Sequence, residues 1–258
     1  LKTRRTEQTG RSGSDSSWIY GLNPVFEAIK AGRKIKSLYL SSRRHEKVFE
    51  IRREAELRNI PVKTAEPLFF DSTFGKGHQG IAAEVPLRKY VPLDELIRGP
   101  LGKSEIPFFL IVDCIEDPRN LGAVLRIADA AGIHGIVVQS HRSATLSAEV
   151  AKVSAGAIEY VPVAMVANIK HAIYEMKESG MTIVGAEAGE GKLLWDTDFT
   201  EPLALVIGSE GKGLRKTVSA LCDTLVSIPM RGKINSLNVS VAAGIFSFEI
   251  LRQRLQKN

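Results

Sequence analysis

The run Phe108-Phe109-Leu110-Ile111-Val112 constrains the fold most. Five consecutive apolar residues cannot alternate between core and water. The segment therefore predicts a strand buried on both faces, as in a parallel sheet covered by helices. Downstream of it, helical and strand patterns alternate. A helix is predicted over Asn120–Ala131, closed by Gly132, then a strand over Gly135–Gln139 and a helix over Ser147–Ala155. Ala157–Val163 is strand-like, Asn168–Glu178 helical, and Thr182–Ala186 and Leu203–Ile207 are strands. Leu214–Leu221 predicts a short helix, Thr224–Ile228 a last strand, and a long helix then runs to about Arg254. In that helix Val241, Ile245, Phe248, Leu251 and Leu255 share one face, a stripe suited to packing on a core. The pattern specifies an α/β domain over residues 107–258.

A smaller α/β pattern precedes it over residues 17–86. Asn23 is suited to cap a helix with Pro24 in its first turn. Ile35–Leu40 and Pro61–Thr64 read as strands, Arg44–Arg58 and Glu66–Phe74 as helices, and Ile81–Val85 as a strand after a glycine-rich loop. Residues 87–106 are rich in Pro and Gly and read as a linker. Residues 1–16 lack hydrophobic periodicity and read as a flexible basic tail.

Residues 1–105 carry 20 Lys and Arg against 13 Asp and Glu, whereas the remainder carries 15 against 16. A basic first part joined to a near-neutral second part suits a polyanion-binding module attached to another function. Arg33, Lys34, Lys36, Arg43, Arg44, Arg52 and Arg53 are the candidate phosphate contacts. No apolar run is long enough to span a bilayer, and the first residues lack a secretory apolar segment. Cys114 and Cys222 match no metal or redox spacing, and the five histidines form no cluster. The expectation is a cytoplasmic chain with reduced cysteines and no metal.

Three stretches carry the chemistry, each after a predicted strand, at the sheet edge where ligands usually bind. In the first, Asp117 to Arg126, Gly122 and Arg126 are four apart on a helix. The long side chain is expected to lean over the glycine toward the anion-favouring helix start. The second, Ile207-Gly208-Ser209-Glu210-Gly211-Lys212-Gly213-Leu214, lets backbone approach a ligand closely and holds one carboxylate, Glu210. The third runs from Ile228 to Glu249 and places Asn235, Ser236, Asn238 and Ser240 where the last helix begins. Neither a dinucleotide-binding glycine fingerprint nor a phosphate-binding P-loop is present.

Together N-L-G-A-V-L-R (Asn120–Arg126), I-G-S-E-G-K-G-L (Ile207–Leu214), I-P-M (Ile228–Met230) and S-L-N-V-S-V-A-A-G (Ser236–Gly244) resemble the SpoU (TrmH) family of RNA ribose 2′-O-methyltransferases. The N-terminal Y-G-L-N-P-V-F-E-A-I (Tyr20–Ile29) and H-Q-G-I-A-A-E (His78–Glu84) resemble the small RNA-binding domain of its 23S rRNA guanosine (RlmB-type) subgroup. The resemblance implies S-adenosylmethionine as cofactor, a homodimer, and a deep trefoil knot formed around Gly208 and Ile228–Asn238. It implies that Gly208, Ile228, Met230 and Leu237 hold the cofactor. It also implies that Asn120, Arg126, Glu210, Ser236 and Asn238 line the reaction site. The target is expected to be 23S rRNA. Related enzymes on tRNA or other rRNA positions, and a non-catalytic RNA-binding protein, are the alternatives.

Overall fold

The computed structural model describes residues 16–42, 46–103, 105–189, 191–209, 211, 213–234 and 236–257. The expected tail lies outside them except for Ser16, as do Arg43, Arg44, Glu210 and Asn235. The first unit comprises β1 (Ser16–Tyr20), α1 (Leu22–Lys30), β2 (Ser37–Ser41), α2 (Glu46–Leu57), β3 (Val62–Ala65), α3 (Pro67–Phe74) and β4 (Ile81–Pro86). Its sheet runs β1-β4-β2-β3, with only β2 and β3 parallel. Helix α1 begins one residue before the expected cap. Its first N–H, at Leu22, donates to Gln79 Oε1 at 3.0 Å, so a side chain from the glycine-rich loop does the capping. Asn23 instead accepts from Lys47 Nζ at 2.7 Å.

The expected linker holds a helix of its own, α4 (Leu93–Leu101), with Leu96 and Ile97 buried in the core of the second unit. That unit comprises β5 (Phe108–Val112), α5 (Pro118–Ala130), β6 (Gly135–Gln139), α6 (Ala148–Val153), β7 (Val163–Val166), α7 (Ile169–Glu178), β8 (Thr182–Ala186), β9 (Lys192–Leu193), β10 (Leu203–Ile207), α8 (Lys216–Ser219), β11 (Thr224–Ser227) and α9 (Val239–Lys257). The strands form one parallel sheet in the order β7-β6-β5-β10-β8-β11-β9. All five residues of β5 are buried, as the run of apolar residues requires. Phe109 and Ile111 join the core beside α4 and α7, while Phe108, Leu110 and Val112 join the one beside α5 and α9. The strand expected over Ala157–Val163 is a 3-10 turn followed by a strand starting at Val163. Left-handed backbone at Ala155 and Gly156 turns the chain there, which extended pairing cannot accommodate.

The two units are joined closely. Glu159, its side chain 1% exposed, receives Arg33 at 2.6 Å and Arg88 at 3.0 Å. Tyr160 donates to Glu27 at 2.7 Å, and Lys152 Nζ donates to the Lys76 carbonyl at 3.1 Å. Arg33, expected to face phosphate, is thus committed to a contact between the units.

Candidate active site

The chain turns from β5 to β6 on one side of the sheet, and from β10 to β11 on the other. The crevice between β5 and β10 is therefore the switch point where open α/β sheets bind ligands. Two cavities open along this edge. The first, about 280 Å³, is walled by Ile207, Gly208, Ser209, Gly211 and Gly213 after β10, and by Ile228, Met230, Ser236 and Leu237 after β11. Ala186, Glu187 and Ala188 after β8, with Val239, Ala242 and Phe246 of α9, complete it. The second, about 740 Å³, is lined by Cys114 to Asp117 and Asn120, by Arg142, and by Ser209 and Gly213 to Lys216. The two share Ser209, Gly213 and Val239.

Local sequence explains how these walls form. A side chain at Gly208 would place its Cβ 2.2 Å from the Gly213 backbone, so only glycine lets the β10 loop fold back on itself. Asp117 caps α5 by accepting from the Arg119 N–H at 2.8 Å, and Pro118 fills the first position. Asn120, one turn in, is freed from capping. Its Oδ1 accepts from Asn238 Nδ2 at 3.2 Å, tying the start of α5 to the start of α9. Asn238 Oδ1 in turn accepts from the Ser240 N–H at 2.9 Å, which caps α9.

Gly208, Ile228, Met230, Leu237 and Ser236 thus line one cavity, while Asn120 lines its neighbour and holds Asn238. Arg126 is exposed, lines neither cavity, and its side chain makes no hydrogen bond or ion pair among the described residues. Gly122 does not provide a vacancy beneath it. A Cβ there would lie 2.6 Å from Val153 Cβ, so the glycine exists to admit α6.

Sequence reading missed two groups. Glu187 lines the first cavity and accepts from the Leu214 N–H at 3.3 Å. Arg215 pairs with buried Asp113 at 2.6 Å and donates to Gln139 at 2.8 Å, bracing the shared wall against β5 and β6. No local motif signals either, because each pairing spans distant segments. Burial pushes the Cys114 thiol above its ordinary range, with the Asp113 carboxylate adding to it, so it stays protonated and is a poor nucleophile. No cluster of His, Cys, Asp or Glu among the described residues suits a metal.

The SpoU rRNA Methylase family model matches residues 107–248, more than half of the chain. The chain belongs to the SpoU family. A second model, RNA 2′-O ribose methyltransferase substrate binding, matches residues 18–91 of this SpoU protein. The TrmH family protein YacO of Bacillus subtilis is 42% identical over 92% of this chain and 96% of its own. A TrmH family protein of Staphylococcus haemolyticus is 38% identical over the same shares. Among solved structures, the SpoU methyltransferase AviRb from Streptomyces viridochromogenes, crystallised with AdoMet, superimposes with a TM-score of 0.78. It is 25% identical and covers 94% of this chain and 92% of that one. TrmH/SpoU of A. aeolicus, a tRNA modifying enzyme, is 30% identical with a TM-score of 0.55 over 64% of this chain and 83% of that one.

Proposed function

We propose that this S-adenosylmethionine-dependent RNA methyltransferase of the SpoU family methylates a ribose 2′-hydroxyl, on a guanosine of 23S rRNA. The observation that carries the reading is the pair of cavities sharing one wall, an apolar glycine-walled pocket beside a polar groove that holds Asn120. The pocket suits the cofactor. Ile207, Ile228, Leu237 and Phe246 offer apolar surface for an adenine ring. The glycines admit backbone contacts, and Glu187 and Ser209 offer acceptors for ribose hydroxyls and an ammonium group. Bound there, S-adenosylmethionine supplies an electrophilic methyl group on a sulfonium.

The protein's task is to make a ribose hydroxyl a competent nucleophile by favouring negative charge on its oxygen. Asn120 and Asn238, bonded to each other, and Ser236 on the wall of the pocket are suited to orient the ribose. Arg126, on the same helix as Asn120, carries a guanidinium with no partner among the described residues. A guanidinium stays protonated at working pH. Its role is therefore electrostatic, beside the phosphate 3′ to the target, with the proton leaving to phosphate or solvent. We assign Glu210 to holding this loop or Arg126 rather than to proton transfer.

The 23S rRNA assignment and the RlmB-type subgroup rest on the motif resemblance of the first unit. Enzymes acting on tRNA share the same second-unit motifs, so tRNA is the alternative substrate. Val241, Phe248 and Leu255 form an apolar stripe on α9 that stays exposed, and supports a homodimer built on that face. The reading includes a deep trefoil knot around Gly208 and Ile228–Asn238, which the family motifs there support. Two free cysteines suit a cytoplasmic setting. The deciding experiment is labelled methyl transfer to total rRNA and tRNA with mapping of 2′-O-methyl positions. Transfer to a 23S rRNA guanosine supports the proposal, and transfer to tRNA alone replaces it. Arg126→Ala should abolish transfer and leave cofactor binding within about twofold. Transfer near the wild-type rate would remove Arg126 from the mechanism.

A further inference from the structure

The groove beside the cofactor pocket carries positive charge that its own ion pairs do not consume. Apart from the Cys114 thiol, its ionisable groups are Glu116, Asp117, Arg142, Arg215 and Lys216. Asp117 is engaged by Arg119 at 2.8 Å. Arg215 is engaged by Asp113 and Gln139. The Arg142 and Lys216 side chains are exposed and have no ion pair or hydrogen bond among the described residues. Among the described lining residues, Glu116 is the one carboxylate left to oppose them.

The sheet sets where these two cations stand. Arg142 follows β6 and Lys216 opens α8 after β10, while the Cys114–Asp117 loop between them follows β5. Because the strand order is β6-β5-β10, the two loops flank the β5 loop from opposite sides. Their anchor points are two strand spacings apart, roughly 10 Å, a gap that the long Arg and Lys side chains can narrow onto neighbouring phosphates. The backbone at Cys114 and Arg142 is left-handed, with φ of 61° and 56°. Non-glycine residues hold that conformation at a cost of about 1 kcal/mol or more, and such positions gather at ligand sites.

We infer that Arg142 and Lys216 form a phosphate clamp that grips the RNA backbone on the two sides of the target ribose. The inference rests on the RNA methyltransferase reading above and adds to it the residues that seat the target strand. Phosphate contacts carry no sequence information, so the clamp acts on any RNA sequence that enters the groove.

The test compares Arg142→Asn and Lys216→Ala, singly and together, with the full-length wild type. Asn is chosen because it tolerates left-handed backbone. Deproteinised bacterial 23S rRNA and bulk tRNA are the probes, titrated across a salt series, with S-adenosylmethionine binding measured in parallel. Each single variant should weaken RNA binding about tenfold at low salt and raise KM more than it lowers kcat. Each should also lower the salt slope by about 0.7–0.9, the value of one phosphate contact. Cofactor affinity should stay within about twofold. The charge-conserving double variant, Arg142→Lys with Lys216→Arg, should restore binding. Unchanged RNA affinity and slope in the neutral double variant would overturn the clamp. So would a charge-conserving variant that binds as poorly as the neutral one. Wild type that binds cofactor but methylates no RNA would instead overturn the functional reading, and the clamp with it.

Discussion

The side-chain amide of Asn238 accepts two bonds from Ser240, at 2.9 Å and 2.6 Å, and donates one to Asn120 at 3.2 Å. Capping and cross-linking can be separated by substitution. Asn238→Ala should lower stability by about 1 kcal/mol, the usual value of a helix cap, and also reduce methyl transfer. Asn238→Asp keeps the capping oxygen and loses the donor to Asn120, so it should retain stability and still lose transfer. Thermal unfolding and labelled methyl transfer read the two effects, and parallel losses in both variants would refute the division. The residue types at this site were legible in the sequence, because two Asn and two Ser at a helix start exceed what one cap needs. Which Asn faces which was not. Asn120 is available only because Asp117, three residues earlier, takes the capping role. Arg33 escapes sequence reading for a related reason. Its partner Glu159 lies 126 residues away, and charge counting cannot see a pairing at that range.

At the scale of elements, α5 is pressed between α6 and α9, and Gly122 marks the closest approach. Gly122→Ala would gain about 1 kcal/mol in helix propensity, yet its Cβ would sit 2.6 Å from Val153 Cβ. Overpacking of this kind costs about 1–3 kcal/mol, so a net loss of stability is expected. Val153→Gly in the same chain removes that Cβ and should recover part of it. Denaturant unfolding of the single and double variants checks the coupling, and independent, additive effects would rule out the contact. Helix α9 shows where periodicity ran out. Its sequence is apolar on more than one face, so spacing alone could not choose between them. Val239, Ala243, Phe246 and Ile250 are the buried set, while Val241, Phe248 and Leu255 of the expected core stripe are exposed. Phe248→Asp should convert the proposed dimer into a folded monomer, measured by light scattering with far-UV circular dichroism. An unchanged mass would move the interface elsewhere.

For the whole molecule, the order of the longer strands and helices was legible, because five-residue apolar runs and glycine stops mark it, whereas β1, α4 and the two-residue β9 were not read. The seating of one unit on the other was not, since it depends on a carboxylate buried between two arginines. Glu159→Ala leaves Arg33 and Arg88 without their partner. Breaking a buried pair typically costs about 3–5 kcal/mol, and a loss of that order should appear in denaturant unfolding together with faster proteolysis between residues 87 and 92. A loss below about 1 kcal/mol would show that the ion pair does not hold the units. The second tie, Tyr160 to Glu27, responds to pH. Burial and the Glu27 carboxylate push the Tyr160 hydroxyl up to about 12, from an ordinary 10.0. A raised value stabilises the docked form fully below pH 10 and is lost as pH climbs through about 12. Docking should therefore be flat through neutral pH. Ser209, Gly213 and Val239 face both cavities, and this common partition offers a route by which the two proposed occupants would act on each other. If one ligand stiffens the partition, the other meets a surface already ordered. Thermodynamic reciprocity then requires each to sharpen the other's affinity by the same factor. With coupling of that sign, the enzyme would favour RNA when charged with its methyl donor and have its affinity for RNA reset when the donor is spent.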